Sequence, residues 1–198
     1  MIKKFKFKKL LNEFRSLKYE KKYVESILEE WNPKFDLYHD QYCDQFEIDI
    51  KTLNDSNKKQ VQQIFKNERA ISKGIEKSER KKEFDSKNLF RQIARKFHPD
   101  KIDIDDPKKQ EYEDVFKRAS NAIDNAEWGD LFDVADEYDL DLKNYDEIIK
   151  CLKSDIKRIK KEINAKKNTY AWLLYECEEN ENCKQNIMKR FLNHLFKI

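Results

Sequence analysis

The chain has 198 residues, 41% of them charged, and its 42 basic and 39 acidic residues leave a formal charge of +3. This balance does not indicate a nucleic-acid-binding surface, so no specific nucleic acid partner is expected. Two glycines and three prolines are too few for the tight turns of a sheet protein. Together with apolar residues at helical spacing, this composition predicts an all-α protein with long helices and a modest core.

The first third of the chain has the pattern of a helical arm. Apolar residues at helical spacing predict an amphipathic helix over residues 5–31. The dipeptide Asn32-Pro33 matches an N-cap followed by a first helical residue, which predicts a break and a second helix folding back as a hairpin. A further cap signal at Asp55-Ser56 predicts a third helix that reaches about residue 82.

The start of the chain is rich in lysine, with Phe5, Phe7 and Leu10 interspersed. Such a segment could attach to an anionic membrane surface or to nucleic acid, but we expect it to pack within the hairpin. It lacks the apolar core and cleavage site of a secretory signal. No run of about eighteen apolar residues occurs, which excludes a transmembrane helix and predicts a cytoplasmic protein.

The four cysteines, Cys43, Cys151, Cys177 and Cys183, are widely spread and do not have the spacing of a zinc site. We expect them to be free, reduced thiols, as is typical of a reducing compartment. A bridge between Cys177 and Cys183 is the alternative. No metal and no cofactor is predicted.

The most informative segment covers residues 87–101. Phe90, Ile93 and Phe97 recur on one face of a predicted helix, and the other face is cationic. Pro99 disfavours helical geometry in the residue before it, so this helix should end at His98. The cationic and corner residues are Lys87, Arg91, Arg95, Lys96, His98, Pro99, Asp100 and Lys101.

A second helix follows this corner. Asp106-Pro107 reads as an N-cap and a first helical residue, and the apolar stripe predicts packing antiparallel to the first helix. The tripeptide Trp128-Gly129-Asp130 should end this helix, with Gly129 in the left-handed conformation and Asp130 capping a short further helix. The apolar stripe consists of Tyr112, Phe116, Ala119 and Ile123.

Residues 87–101 and 116–123 resemble the second and third helices and the intervening corner of a J-domain, the co-chaperone module of the DnaJ family. The resemblance covers about a third of the chain, from Asp85 to Leu142. It implies that the corner triggers ATP hydrolysis in a DnaK-type chaperone, while Lys87, Arg91 and Lys96 supply the positive docking face. The family's usual first helix has no counterpart before Lys87, and Gln92 stands where a basic residue is common.

The last quarter of the chain predicts a coiled-coil arm. Asn144 and Glu147 form a capping-box pattern that begins a long helix, and a final helix follows. Three segments result: an N-terminal helical arm (1–84), a J-domain-like module (85–142) and a C-terminal helical segment (143–198). The narrow stripe of the long helix consists of Ile148, Ile149, Leu152, Ile156, Ile159 and Ile163.

No catalytic constellation is present, so the chain is not predicted to be an enzyme. His39 and His194 are interpreted as structural or surface residues. The leading hypothesis is a cytoplasmic co-chaperone whose arms bind a client, a partner protein or a second copy of the chain. The alternative is a helical scaffold with a degenerate J-like element, which the missing first helix and Gln92 motivate.

Overall fold

A computed structural model of the chain describes residues 2–53, 55, 86–103 and 105–196, and these contain helices and no strand. The all-α prediction is confirmed. No helix formed by these residues is long and apolar enough to cross a membrane. The elements are α1 (Ile2–Gln45), α2 (Lys87–Phe97), a one-turn 3-10 helix (Pro99–Lys101), α3 (Lys109–Asp124), α4 (Trp128–Glu137), α5 (Tyr145–Lys167), α6 (Tyr170–Glu176) and α7 (Glu181–Phe196).

The chain divides into two compact units. The first comprises Met1–Tyr19 and Arg80–Lys160, and the second comprises Glu20–Glu79 and Lys161–Ile198. The first unit therefore contains the beginning of α1, the helices α2 to α4 and most of α5. The second contains the remainder of α1 and α5 together with α6 and α7.

The predicted hairpin at Asn32-Pro33 is wrong, because α1 runs without interruption from Ile2 to Gln45 with Pro33 inside it. A proline within a helix removes one backbone hydrogen bond and costs about 3 kcal/mol. Pro33 lies on the exposed side of α1. On the opposite side, apolar residues follow one another at alternating intervals of four and three residues, before and after Pro33 alike. Packing along this stripe offsets the cost. Its members are Val24, Leu28, Trp31, Phe35, Tyr38 and Tyr42.

The helix predicted over residues 55–82 lies almost entirely outside the described residues. Before its predicted start, the described residues 50–53 are helical. Asp49 supplies the cap: its Oδ1 accepts the backbone N–H groups of Lys51 and Thr52 at 3.0 and 3.1 Å. Asp49 therefore satisfies two of the free N–H groups that every helix start leaves.

The core of the first unit forms between α1, α4 and α5, with α2 and α3 contributing their inner faces. The predicted stripe of α5 is buried along its length, which confirms that part of the sequence interpretation. The helix α1 contributes a second buried stripe. The side chains of α1 and α4 buried here are Phe7, Leu11, Phe14, Leu17, Trp128, Leu131, Phe132, Val134 and Ala135.

The helix α3 begins later than predicted, at Lys109 rather than at Pro107. The turn before it is nevertheless capped by the predicted residue, because Asp106 Oδ1 accepts the N–H of Lys108 at 2.7 Å. The carbonyl of Asp106 also accepts the N–H of Lys109 at 3.0 Å. The interpretation of Asp106-Pro107 as an entry signal was right, and the boundary was two residues early.

The prediction that Gly129 ends a helix in the left-handed conformation is wrong. The helix α3 ends at Asp124, and the left-handed residue after it is Ala126, with φ of 52°. Gly129 lies in the first turn of α4 and does not have a positive φ. Its role is steric, because a Cβ there would lie 2.3 Å from Cε2 of Phe14. Asp130, predicted as a cap, also lies within the first turn of α4.

The second unit contains a disulfide that corrects the prediction of free thiols at these two positions. Cys177 and Cys183 are bonded, with their Cα atoms 5.5 Å apart. The turn between the end of α6 at Glu176 and the start of α7 at Glu181 brings them together. Cys43 and Cys151 are buried and form no disulfide with a described residue, in agreement with the prediction of thiols at these two positions.

The core around Cys43 consists of residues from α1 and α7. Their apolar faces meet within the second unit, and aromatic rings fill the space between them, with Phe35 and Phe191 packing edge-to-face at 5.0 Å. The buried members of this cluster are Tyr42, Cys43, Met188, Leu192, Leu195 and Phe196.

Candidate functional site

The His-Pro-Asp corner is an ordered, water-facing turn at the end of α2. His98 takes extended backbone angles, with φ of −65° and ψ of 131°, which end the helix as the following proline requires. Pro99 then begins the 3-10 turn, and the Lys101 N–H donates to the His98 carbonyl at 2.9 Å. The backbone is therefore fixed on both sides of His98 and Asp100.

The two side chains of the corner differ in freedom. His98 Nδ1 accepts the backbone N–H of Asp100 at 3.3 Å, so the neutral ring carries its proton on Nε2. The imidazole also packs edge-to-face on Phe116 of α3, with centroids 5.0 Å apart. The His98 side chain is 40% exposed and that of Asp100 is 87% exposed. The imidazole is thus held in place, while the carboxylate projects into solvent.

Ring contacts fasten this corner to α3 and α4. Phe90 packs on Phe116 at 5.9 Å and Phe97 packs on Tyr112 at 5.4 Å. The later residue of α2 thus contacts the earlier residue of α3. The two helices are therefore antiparallel. Phe97 is fully buried and also contacts Tyr138 at 4.6 Å.

Tyr138 caps α4 and is held at both ends. Its hydroxyl donates to Glu111 at 3.1 Å, while its ring contacts Phe97. Burial and the neighbouring carboxylates of Glu111 and Glu137 raise the pKa of Tyr138 to about 12. The hydroxyl therefore stays protonated and keeps its donor role across the physiological range.

The cationic residues predicted beside the corner separate into two groups. Lys87, Arg91, Arg95 and Lys101 are exposed, and no contact to the side chains of Arg91 and Arg95 occurs among the described residues. Lys96 is directed elsewhere: its ammonium donates to the Tyr138 carbonyl at 3.2 Å and lies 5.5 Å from the Phe97 ring centroid. The first group, Lys87, Arg91, Arg95 and Lys101, forms an exposed positive face.

Gln92 has a structural role that the sequence did not indicate. Its Nε2 donates to the Asp141 carbonyl at 3.1 Å, and its Oε1 accepts the Asp141 N–H at 2.9 Å. Such a reciprocal pair requires a primary amide that can donate and accept together. It fastens the segment after α4 to the middle of α2.

We expect Gln92→Ala to lower the free energy of unfolding by about 1 kcal/mol, because two partly exposed hydrogen bonds are lost. Gln92→Glu is the matched control: it keeps the acceptor but cannot donate to the Asp141 carbonyl. Urea denaturation followed by circular dichroism would measure both. Equal stability of wild type and Gln92→Ala would contradict the role assigned to the pair.

The helix α4 supports the corner and is itself held by basic residues of α1 and α3. Asp133 lies between Arg15 of α1 and Arg118 of α3 and pairs with both. Lys8 pairs with Asp136 and Lys18 pairs with Asp130. Part of the lysine-rich start of the chain is thus used within the first unit. Phe7 is buried, while Phe5 is exposed.

The other histidines do not form a second reactive site. His39 Nε2 lies 3.6 Å from Cys43 Sγ, and its Nδ1 lies 3.0 Å from Asp40 Oδ1. Burial, with smaller contributions from Asp40 and Asp44, raises the pKa of the Cys43 thiol. A nucleophilic cysteine needs the opposite shift. The described part of the chain also contains no group of three or more His, Cys, Asp or Glu side chains placed to hold a metal ion.

No protein-family model, curated protein or solved structure matches this chain. The fold and the site define an all-α protein with an exposed His-Pro-Asp corner beside an exposed cationic helix face. Inferences about its function therefore rest on the residues and on their geometry.

Proposed function

We propose that the protein is a J-domain co-chaperone that docks on a DnaK-type ATPase chaperone and stimulates its ATP hydrolysis. The observation that carries the proposal is the corner itself, in which a held imidazole and an 87% exposed carboxylate lie beside a cationic helix. The resemblance of residues 87–101 and 116–123 to the DnaJ family supports the same conclusion. Any ATP chemistry belongs to the partner.

The charges of the site suit such a docking role. Arg91 and Arg95 lie one turn apart on α2 and would attract an acidic surface over long range, which raises the association rate and fixes orientation. The exposed carboxylate of Asp100, whose Oδ2 lies 3.6 Å from His98 Nδ1, would form a charge-assisted bond with a basic side chain of the partner. His98, pinned by Asp100 N–H and Phe116, would lose little side-chain freedom on binding.

A single-turnover ATPase assay with the DnaK-type chaperone of the same organism tests the proposal. We expect wild type to accelerate hydrolysis, and His98→Gln and Asp100→Asn each to lose most of that acceleration. The matched control is Asp103→Asn, which removes one exposed carboxylate from the neighbouring loop and should stimulate as wild type does. Equal activity of all four proteins would reject the proposal.

The cationic face is tested in the same assay at two salt concentrations. We expect Arg91→Gln combined with Arg95→Gln to weaken stimulation at low salt and to differ less from wild type at high salt, because salt screens exposed charges. Lys153→Gln combined with Lys157→Gln removes the same charge from an exposed part of α5 and should have no effect.

A helical scaffold with a degenerate J-like element is the second candidate. It is favoured by the contacts of Lys96 and Gln92 within the first unit, since these side chains donate to the carbonyls of Tyr138 and Asp141. Pull-down in the presence of ATP separates the two: a scaffold would recover a stable partner and no chaperone. The helical arms would then bind a client, a partner protein or a second copy of the chain.

We place the proposed activity in the cytoplasm, because the partner's reaction requires ATP. Disulfides are rare in reducing compartments, so the Cys177–Cys183 bond is the observation that bears against this placement. Alkylation of the protein in freshly lysed cells, followed by mass spectrometry, would report the state of this pair.

A further inference from the structure

A basic groove lies on the second unit. It has a volume of about 640 Å³ between the first residue of α6 and the last turns of α7. Among the described residues that line it, two side chains are cationic and none is a carboxylate. The residues that line it are Tyr170, Lys189, Arg190, Asn193 and His194.

Some basic residues of the second unit are already used in ion pairs. In the same unit, Lys21 pairs with Glu162 at 2.7 Å and Lys167 pairs with Glu20 at 2.6 Å. Neither Lys189 nor Arg190 has a carboxylate partner among the residues that the structure describes. Because no described carboxylate pairs with them, these two adjacent cations can bind the charged groups of a ligand.

The walls of the groove are fixed by packing. The Tyr170 hydroxyl lies 3.3 Å from His194 Nδ1, and the Tyr170 ring packs edge-to-face on Phe191 at 5.1 Å. On the opposite face of α7, Met188 and Leu192 are buried in the core. This burial holds the exposed face of α7 toward the groove, so the cations are presented by a rigid helix.

We propose that this groove binds an extended acidic segment of a partner protein. Carboxylates of the segment would pair with Lys189 and Arg190, and the side-chain amide of Asn193 can both donate to and accept from a peptide backbone. The volume is in the range of sites that hold a small ligand or a few residues. Nucleic acid fits less well, since such surfaces commonly neutralise several phosphates along a basic stripe, whereas this groove supplies two permanent cations.

Fluorescence anisotropy with the full-length protein tests the proposal. The probe is a fluorescein-labelled peptide of alternating glutamate and alanine, and its counterpart carries glutamine in place of glutamate. We expect the acidic peptide to bind and the neutral peptide to bind about tenfold more weakly. The double variant Lys189→Gln with Arg190→Gln should weaken binding of the acidic peptide by a similar factor. Lys153→Gln with Lys157→Gln, which removes equal charge from α5, should bind as wild type does.

Three outcomes would overturn the proposal. The first is that the acidic peptide does not bind. The second is that both double variants lose the same amount of affinity for it. The third is that a single-stranded oligonucleotide binds through Lys189 and Arg190 more tightly than the acidic peptide does. The ATPase assay with Lys189→Gln and Arg190→Gln keeps the two proposals apart. Chaperone stimulation should be unchanged in this variant, so failure at the groove leaves the proposal for the corner standing.

Discussion

Replacing Asp155 by alanine should lower the free energy of unfolding by about 3 kcal/mol, because it breaks a buried, hydrogen-bonded charge pair. Asp155 is a buried charged residue of the first unit, 5% exposed. Its Oδ2 accepts the N–H of Gly129 at 2.6 Å, and its Oδ1 accepts from Arg158 at 3.1 Å. Asp155 thereby caps the first turn of α4 from another helix, and its removal leaves that N–H without an acceptor.

Urea denaturation of wild type and variant measures this cost. Asp146→Ala is the matched control, since it removes a carboxylate from the same helix whose side chain is 70% exposed and pairs with Lys3 at the surface. We expect this control to cost less than about 1 kcal/mol. Equal effects at Asp155 and Asp146 would show that the buried cap contributes little.

The stability contribution of Asp155 should depend on pH in a defined direction. Burial raises the pKa of Asp155 above its ordinary value, although Gly129 and Arg158 act in the opposite direction. The folded protein then binds the proton more tightly than the unfolded chain. The proton-linked part of the stability, which is separate from the hydrogen bonds to Gly129 and Arg158, is therefore fully present below the unfolded pKa and is lost as the pH rises through the folded pKa. Asp155→Asn keeps an acceptor and removes the titration. We expect the stability of wild type relative to Asp155→Asn to increase as the pH falls from about 7 toward about 4.

Gly129→Ala should cost about 2 kcal/mol, from overpacking of up to about 3 kcal/mol offset by about 1 kcal/mol of improved helix propensity. The new Cβ would lie 2.3 Å from Cε2 of Phe14, and the Phe14 side chain is 1% exposed and surrounded by the core. The ring therefore has no open space into which it can move. The lower free energy of unfolding of Gly129→Ala would appear as a lower midpoint of urea denaturation.

The contact with Phe14 can be isolated by repeating the substitution in a Phe14→Leu background. Leucine ends short of the position that the outer edge of the ring occupies, so Gly129→Ala should then be neutral or stabilising by up to about 1 kcal/mol. The same cost in both backgrounds would contradict the steric explanation and would point to a backbone requirement at Gly129.

Local signals predicted the corner well, because its geometry depends on neighbouring residues. Pro99 ends α2 at His98 for a steric reason that needs no tertiary information. The helix α5 begins directly after Asn144, as predicted, but the capping box is not formed: Asn144 has a φ of 58°, and its Nδ2 donates to Glu147 Oε2 at 2.8 Å. The alternation of apolar and charged positions likewise identified the buried stripe of α5. The docking role of the corner stays a prediction.

Tertiary packing overrode the local rules at the points where the sequence misled. Pro33 has the signature of a helix start, yet an apolar stripe in register on both sides keeps α1 continuous. Gly129 has the signature of a helix end, but the Phe14 ring determines its place in α4. The pairs of Gln92 with Asp141 and of Asp155 with Gly129 join residues 49 and 26 positions apart, which no local pattern reports.

The row of aspartates along α4 limits which fragment of the chain could carry the corner into another protein. Asp130, Asp133 and Asp136 are neutralised by Lys18, Arg15 and Lys8, all of which belong to the first nineteen residues. A fragment or chimera limited to residues 85–142 would lose these cations and uncover apolar surface of α4, so it would be acidic and prone to self-association. Engineers who want to graft the corner onto another protein must therefore carry α1 and α5 with it.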